Sequence, residues 1–252
     1  MPVLTSGQQE RKSKQRKIRN SEYYDMEGTF DRLYAESKKD KTFNHLMEII
    51  ESEENIKLAY RTIKKNTGSD TSGVDKRTIA DLAKLSEEEY VRLIRKQFSN
   101  YHPRPVRRVE IPKPNGKTRP LGIPTIVDRI VQQCILQVME PICEAKFSEN
   151  SNGFRPNRSA ETAIAQCMRL IQVQHLYHVV DLDIKGFFDN ISHTKLIRQI
   201  WALGIREKKA VMHYKRDAES TCCSAKWGEN ISHTGYPARR YFVAIACKHR
   251  IE

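Results

Sequence analysis

The sequence predicts an α+β fold in which helices come first, a hairpin interrupts them, and a strand enters late. Three observations carry this. Apolar residues recur at helical spacing from Leu46 to Ile63 and again from Ile130 to Val138. Residues 106–123 alternate in polarity on either side of Pro114-Asn115-Gly116-Lys117, a turn sequence. Tyr177 to Leu182 is a short β-branched run that reads as a buried strand.

Taken in order, residues 1–20 are polar and basic, with Arg11, Lys12, Lys14, Arg16, Lys17 and Arg19. Without an apolar period this arm is expected to be disordered when free: a solvated tail, or an arm that orders on RNA. Helices are expected from about residue 23. Leu46, Ile49, Ile50, Ile56, Ala59 and Ile63 share one helical period. Turns follow at Thr67-Gly68-Ser69-Asp70 and Ser72-Gly73-Val74-Asp75. Ser86 lies three residues before Glu89, the capping box of a helix carrying Val91, Ile94 and Phe98. Val106–Ile111 and Arg119–Ile123 form the hairpin with a basic rim. A long helix follows with Ile130, Val131, Cys134, Ile135 and Val138 on one face. Ser159 caps another, bearing Ala163, Ile164, Cys167 and Leu170. After the Tyr177–Leu182 strand, the last helix carries Leu196, Ile197, Ile200 and Trp201, with Gly204 at its end. No internal repeat is present.

The 252 residues carry a formal net charge of +13. Such an excess calls for an acidic partner, and nucleic acid is the first candidate, because neutralising phosphates releases condensed counterions. No stretch approaches the ~20 apolar residues of a membrane span, and Met1–Gln15 lacks the apolar core of a signal peptide. A cytoplasmic protein is expected. The six cysteines form no CxxC and no zinc-finger array. Cys134, Cys143 and Cys167 read as small apolar residues on helix faces.

Two segments carry chemistry. In Val179-Val180-Asp181-Leu182-Asp183-Ile184-Lys185-Gly186-Phe187-Phe188-Asp189, apolar residues lead into a carboxylate at a strand end. That is a rigid mount for Mg²⁺, and paired metals ~4 Å apart serve nucleotidyl transfer. Asp183 fits the metal role; Asp189 fits a helix start better, since Asn190 and Ser192 follow. In Ile111–Pro124, Lys113 and Arg119 flank the hairpin tip, where an ammonium and a guanidinium could converge on a triphosphate. A basic turn alone is weak support; beside the Asp183 segment it becomes specific.

Together with Ser72-Gly73-Val74-Asp75 and Asn152-Gly153-Phe154-Arg155-Pro156-Asn157-Arg158-Ser159, these segments resemble the fingers and early palm of group II intron-encoded reverse transcriptases, over roughly residues 20–209. The resemblance implies a right-hand polymerase, present as fingers with a partial palm. It assigns residues 1–22 to a basic flexible arm, 23–175 to fingers, and 176–209 to the start of the palm. It implies RNA-directed DNA polymerisation with Mg²⁺ and dNTPs, a maturase role, and intron RNA and a DNA primer or target as partners. Asp183 matches the first catalytic carboxylate, the Ile184 carbonyl a main-chain metal ligand, and Phe188 the steric gate against a ribose 2′-hydroxyl. Lys113 and Arg119 match the triphosphate pair. Arg155, Arg158 and the arm residues Arg11, Lys12, Lys14, Arg16 and Lys17 are candidate template or RNA contacts.

The family's Pro-Gln-Gly and Tyr-Ala-Asp-Asp motifs, which follow, are absent. Read one base later, the codons from Thr234 onward permit QGTPQGGILSPLLANIVLN, and those from Lys209 to His233 permit KLLCIIKEMLKAPVVLPNGEKIYPT. Glu207-Lys208-Lys209 can be encoded by an adenine run, where an inserted base is a common slip. Residues 210–252 are therefore expected to be an out-of-frame, unstructured tail, and Cys222, Cys223 and Cys247 an accident of that frame. A truncated fragment without unaided polymerase activity is expected. The alternative is a non-catalytic fragment that binds intron RNA.

Overall fold

The computed structural model describes residues 20–112, 116, 118–153, 155–182 and 192–223, without the side chains of 119, 120, 214 and 217–223. Helices come first: α1 (Asn20–Tyr23), α2 (Glu27–Lys38), α3 (Leu46–Ile50), α4 (Glu53–Lys64), α5 (Ile79–Leu82) and α6 (Glu87–Ser99). Strands β1 (Arg107–Pro112) and β2 (Thr118–Ile123) form an antiparallel hairpin. Helices α7 (Ile126–Glu144), α8 (Ala160–Gln172), α9 (His193–Ala202) and α10 (Lys208–Cys223) follow. The class is mixed, mostly helical with a small sheet, as expected.

The core is built around α7. Its sequence is apolar on nearly every side, so it can be surrounded, and α2, α3, α4, α6 and α10 pack against it. Ile126, Ile130, Val131, Cys134, Val138, Ile142 and Cys143 are fully buried. Its polar residues are bonded rather than exposed. Gln137 Nε2 donates to Asn55 Oδ1 at 2.7 Å, and Asn55 Nδ2 donates to the Ile50 and Cys134 carbonyls at 2.9 and 3.1 Å. Unbonded, each such group would cost about 1–3 kcal/mol.

The apolar period from Leu46 to Ile63 is divided between α3 and α4. Ser52 breaks it, because its hydroxyl accepts the Asn55 N–H and so caps a new helix. The Ser86–Glu89 capping box is present at α6, with the Glu89 N–H on Ser86 Oγ at 3.3 Å and the Ser86 N–H on Glu89 Oε2 at 2.9 Å. Helix α1 starts at Asn20, inside the stretch assigned to the flexible arm; residues 1–19 lie outside the described residues.

Two expectations need correction. Tyr177–Leu182 is not a buried strand. It is extended and exposed, Val179 by 79% and Leu182 by 86%. A strand needs a neighbour to take its N–H and C=O groups, and the sheet among the described residues is the β1–β2 hairpin alone. Nor does structure stop at residue 209. Helix α10 runs to Cys223 and buries Ala210, Val211 and His213 against the core. Those side chains face a preformed apolar surface, and burial there favours a helix whatever its sequence history. Cys167, expected on an apolar face, is exposed, whereas Cys134 and Cys143 are buried.

The two ends of the described chain meet. The Phe43 N–H donates to the Gly204 carbonyl at 2.8 Å, and the Arg206 N–H donates to the Phe43 carbonyl at 2.9 Å, forming an isolated parallel bridge. Gly204 has φ +95°, and a Cβ there would stand 2.8 Å from the Lys41 carbonyl oxygen. Both the conformation and the close approach require glycine. Glu207 Oε2 then accepts the Met47 N–H at 2.9 Å, at the start of α3.

Candidate functional site

The hairpin is aimed by a knot of polar contacts at its base. In β1, burial alternates residue by residue, so Arg107, Val109 and Ile111 face one way and Arg108, Glu110 and Pro112 the other. The register pairs Ile111 with Arg119 and Pro112 with Thr118, and Gly116 takes φ +77° in the connection. This puts position 119 one residue from the end of the ladder. Lys113 lies outside the described residues, and for Arg119 the backbone alone is described.

Below the hairpin, Thr125 caps α7. Its hydroxyl accepts the Asp128 N–H at 3.2 Å and donates to Asp128 Oδ2 at 2.6 Å. The same carboxylate oxygen accepts the Arg104 N–H at 3.3 Å. Burial pushes the Asp128 carboxyl above its ordinary value, against the opposing pull of these bonds. One turn on, Arg129 spends its guanidinium on main-chain carbonyls: Pro124 at 3.2 Å, Gly68 at 2.8 Å and Thr71 at 2.6 Å. Arg107 Nε donates to the Ser72 carbonyl at 2.9 Å. The 68–75 loop is thereby tied to both the first hairpin strand and the helix that follows the second. Gly73 closes the joint, since a Cβ there would lie 2.7 Å from the Thr125 Cα. Ser72-Gly73-Val74-Asp75 was legible as a motif; Asp128 and Arg129 were not singled out. Their signal was a Thr-x-x-Asp cap and a charged residue set inside an otherwise apolar helix.

Arg155 is turned inward. Its side chain is only 5% exposed and forks onto Glu144, with Nε donating at 3.1 and 3.0 Å and an Nη at 2.6 Å. The other Nη donates to the Ser148 and Ser151 carbonyls, and the group stands over the Phe147 ring at 5.6 Å. Arg158, in the turn before α8, is half-exposed. The structure thus separates these two residues in role: one holds the 148–155 loop to the end of α7, and the other remains at the surface.

Asp183, Ile184 and Phe188 lie outside the described residues, as do Arg11, Lys12, Lys14, Arg16 and Lys17. Among the described residues, no group of three His, Cys, Asp or Glu side chains converges to hold a metal ion. No helix there is long and apolar enough to cross a membrane.

Comparison with known proteins bears on the same segments. Residues 111–234 match the family described as reverse transcriptase (RNA-dependent DNA polymerase). The chain is 37% identical over 161 residues to the group II intron-encoded protein LtrA of Lactococcus lactis subsp. cremoris, covering 63% of this chain and 26% of that protein. It is 37% identical over 166 residues to protein YkfC of Escherichia coli, covering 62% of this chain and 42% of that one. It is 29% identical over 174 residues to a putative COX1/OXI3 intron 1 protein of Saccharomyces cerevisiae, covering 68% and 20%. The chain therefore spans about a quarter of LtrA and about two-fifths of YkfC.

Proposed function

The chain belongs, through residues 111–234 and its intron-encoded relatives, to the reverse transcriptases of group II introns, and from that premise we propose that it is the fingers and first palm segment of such an enzyme. The observation that carries this is the hairpin with its anchored base, lying inside the region matched by the family. On this reading Lys113 and Arg119 grip the triphosphate of an incoming dNTP. Asp183 and the Ile184 carbonyl hold Mg²⁺, which supplies charge stabilisation for nucleotidyl transfer when bound. Phe188 excludes a ribose 2′-hydroxyl. The Asp128–Arg129–Gly73 knot holds the hairpin at a fixed angle, and Arg155 positions the 148–155 loop instead of touching RNA. The exposed cations, Arg158 and the arm from Arg11 to Lys17, contact intron RNA.

The frame changes at about residue 210. Two observations support this. The shifted codons permit QGTPQGGILSPLLANIVLN from Thr234 onward. Within α10, the same shift turns Ala210, Val211 and His213, the positions buried against the core, into leucine, leucine and isoleucine. The 252-residue chain then carries one carboxylate of the catalytic set, and we expect no primer extension from it. The test is extension of a DNA primer on an RNA template with Mg²⁺ and dNTPs by the purified chain. Processive product would overturn the inactive-fragment reading. A second reading, a non-catalytic RNA-binding fragment, is favoured by the net charge of +13. Retention of intron RNA without extension would support it.

A further inference from the structure

Helix α8 is amphipathic, yet none of its residues is buried. Ile164, Met168 and Ile171 lie at i, i+4 and i+7, so they form one stripe, and all three are exposed, Ile164 by 60%. The chain then turns back, with the Leu176 N–H on the Leu170 carbonyl at 3.1 Å, and continues as the exposed extended segment containing Val179 and Val180. An amphipathic helix gains most of its stability by covering its apolar face, and an extended β-branched segment by pairing its backbone. Here both lie uncovered, side by side in sequence.

We propose that the α8 stripe and residues 177–182 form a docking surface for the polypeptide encoded in the shifted frame downstream of codon 209. This rests on the reading-frame proposal above. The occupant is argued from its chemistry. QGTPQGGILSPLLANIVLN contains no charged residue and places Leu, Leu, Ile, Val and Leu at spacings that give a helix one apolar face. The stripe it would meet is likewise uncharged at Ile164, Met168 and Ile171. The proteins this chain resembles are much longer, with 26% and 42% of their lengths matched, so a complementary polypeptide of this kind has room to exist. Supplied on a separate chain, it would restore the missing layer in trans.

The experiment titrates the full 252-residue chain into a fluorescently labelled peptide of that sequence and reads anisotropy. Saturable binding is expected, at least about tenfold tighter than to a scrambled peptide of the same composition. The double substitution Ile164→Lys with Met168→Lys should abolish it while leaving helical circular dichroism unchanged, since both side chains face solvent. Equal binding of the scrambled peptide, or binding that survives the double substitution, overturns the proposal. So does the absence of binding. Sedimentation velocity without peptide gives the remaining outcome: a dimer that dissociates on the same double substitution means that a second copy covers the stripe, and the proposal fails. The nucleotide sequence of codons 205–252 tests the reading frame separately, so a peptide that fails to bind in a confirmed shifted frame condemns the docking surface alone.

Discussion

The ring of His213 lies between Phe98 and Tyr101, with centroids 5.9 and 5.6 Å away, and is buried without a hydrogen bond to either nitrogen. Burial, with Lys209 and Arg216 nearby, lowers its pKa to about 4 from an ordinary 6.5. The folded state therefore holds the neutral ring, while the unfolded state takes up a proton sooner. Stability should fall as pH drops through 6.5 and level off below about 4, and His213→Leu should remove this slope in urea melts run across that range. At neutral pH the same change should stabilise the fold by about 1–2 kcal/mol, because an unsatisfied polar group leaves an apolar slot. A loss of stability would count against the shifted-frame reading of α10. Arg155→Ala should cost about 3 kcal/mol or more by leaving Glu144 part-buried and unpaired, and Arg155→Lys should recover little, since an ammonium cannot fork. These individual environments were hard to read from sequence. Arg155 stands in a motif that suggested a nucleic-acid contact, and only the Glu144 carboxylate eleven residues earlier turns it inward.

At the scale of elements, legibility followed locality. The α6 capping box, the Thr125 and Ser159 caps, the hairpin register and α7 all rest on signals within a few residues, and all were readable. Ser86→Ala should cost about 1 kcal/mol, measurable by chemical denaturation. The segment 177–182 was misread because β-propensity describes fit to a neighbour and the run alone does not supply one. The division of α3 from α4 was missed because the apolar period continues across Ser52 while the backbone does not. Gly73→Ala should disturb the hairpin without emptying the core. The added methyl meets the Thr125 backbone at 2.7 Å, so either the 68–75 loop or the base of β2 must move. The expected result is altered chemical shifts along residues 107–123 with little change at α4.

For the molecule as a whole, the charge of +13 should make RNA binding steeply salt-dependent. Between roughly 50 and 200 mM salt, affinity should drop by at least about tenfold, and a flat response would argue against phosphate contacts as the main source of binding. The composition announced this tendency, but the arrangement of the core did not follow from it; α7 is surrounded because five other helices from distant parts of the sequence converge on it. The bridge between Phe43 and Ile205 carries that dependence furthest. During synthesis, the early helices are complete long before residue 205 leaves the ribosome, and they must wait with Phe43 unpaired until it does. Closing so long a loop is entropically slow. The last step of folding is thus timed by translation itself, and it comes due just as the ribosome passes the adenine-rich codons at 207–209.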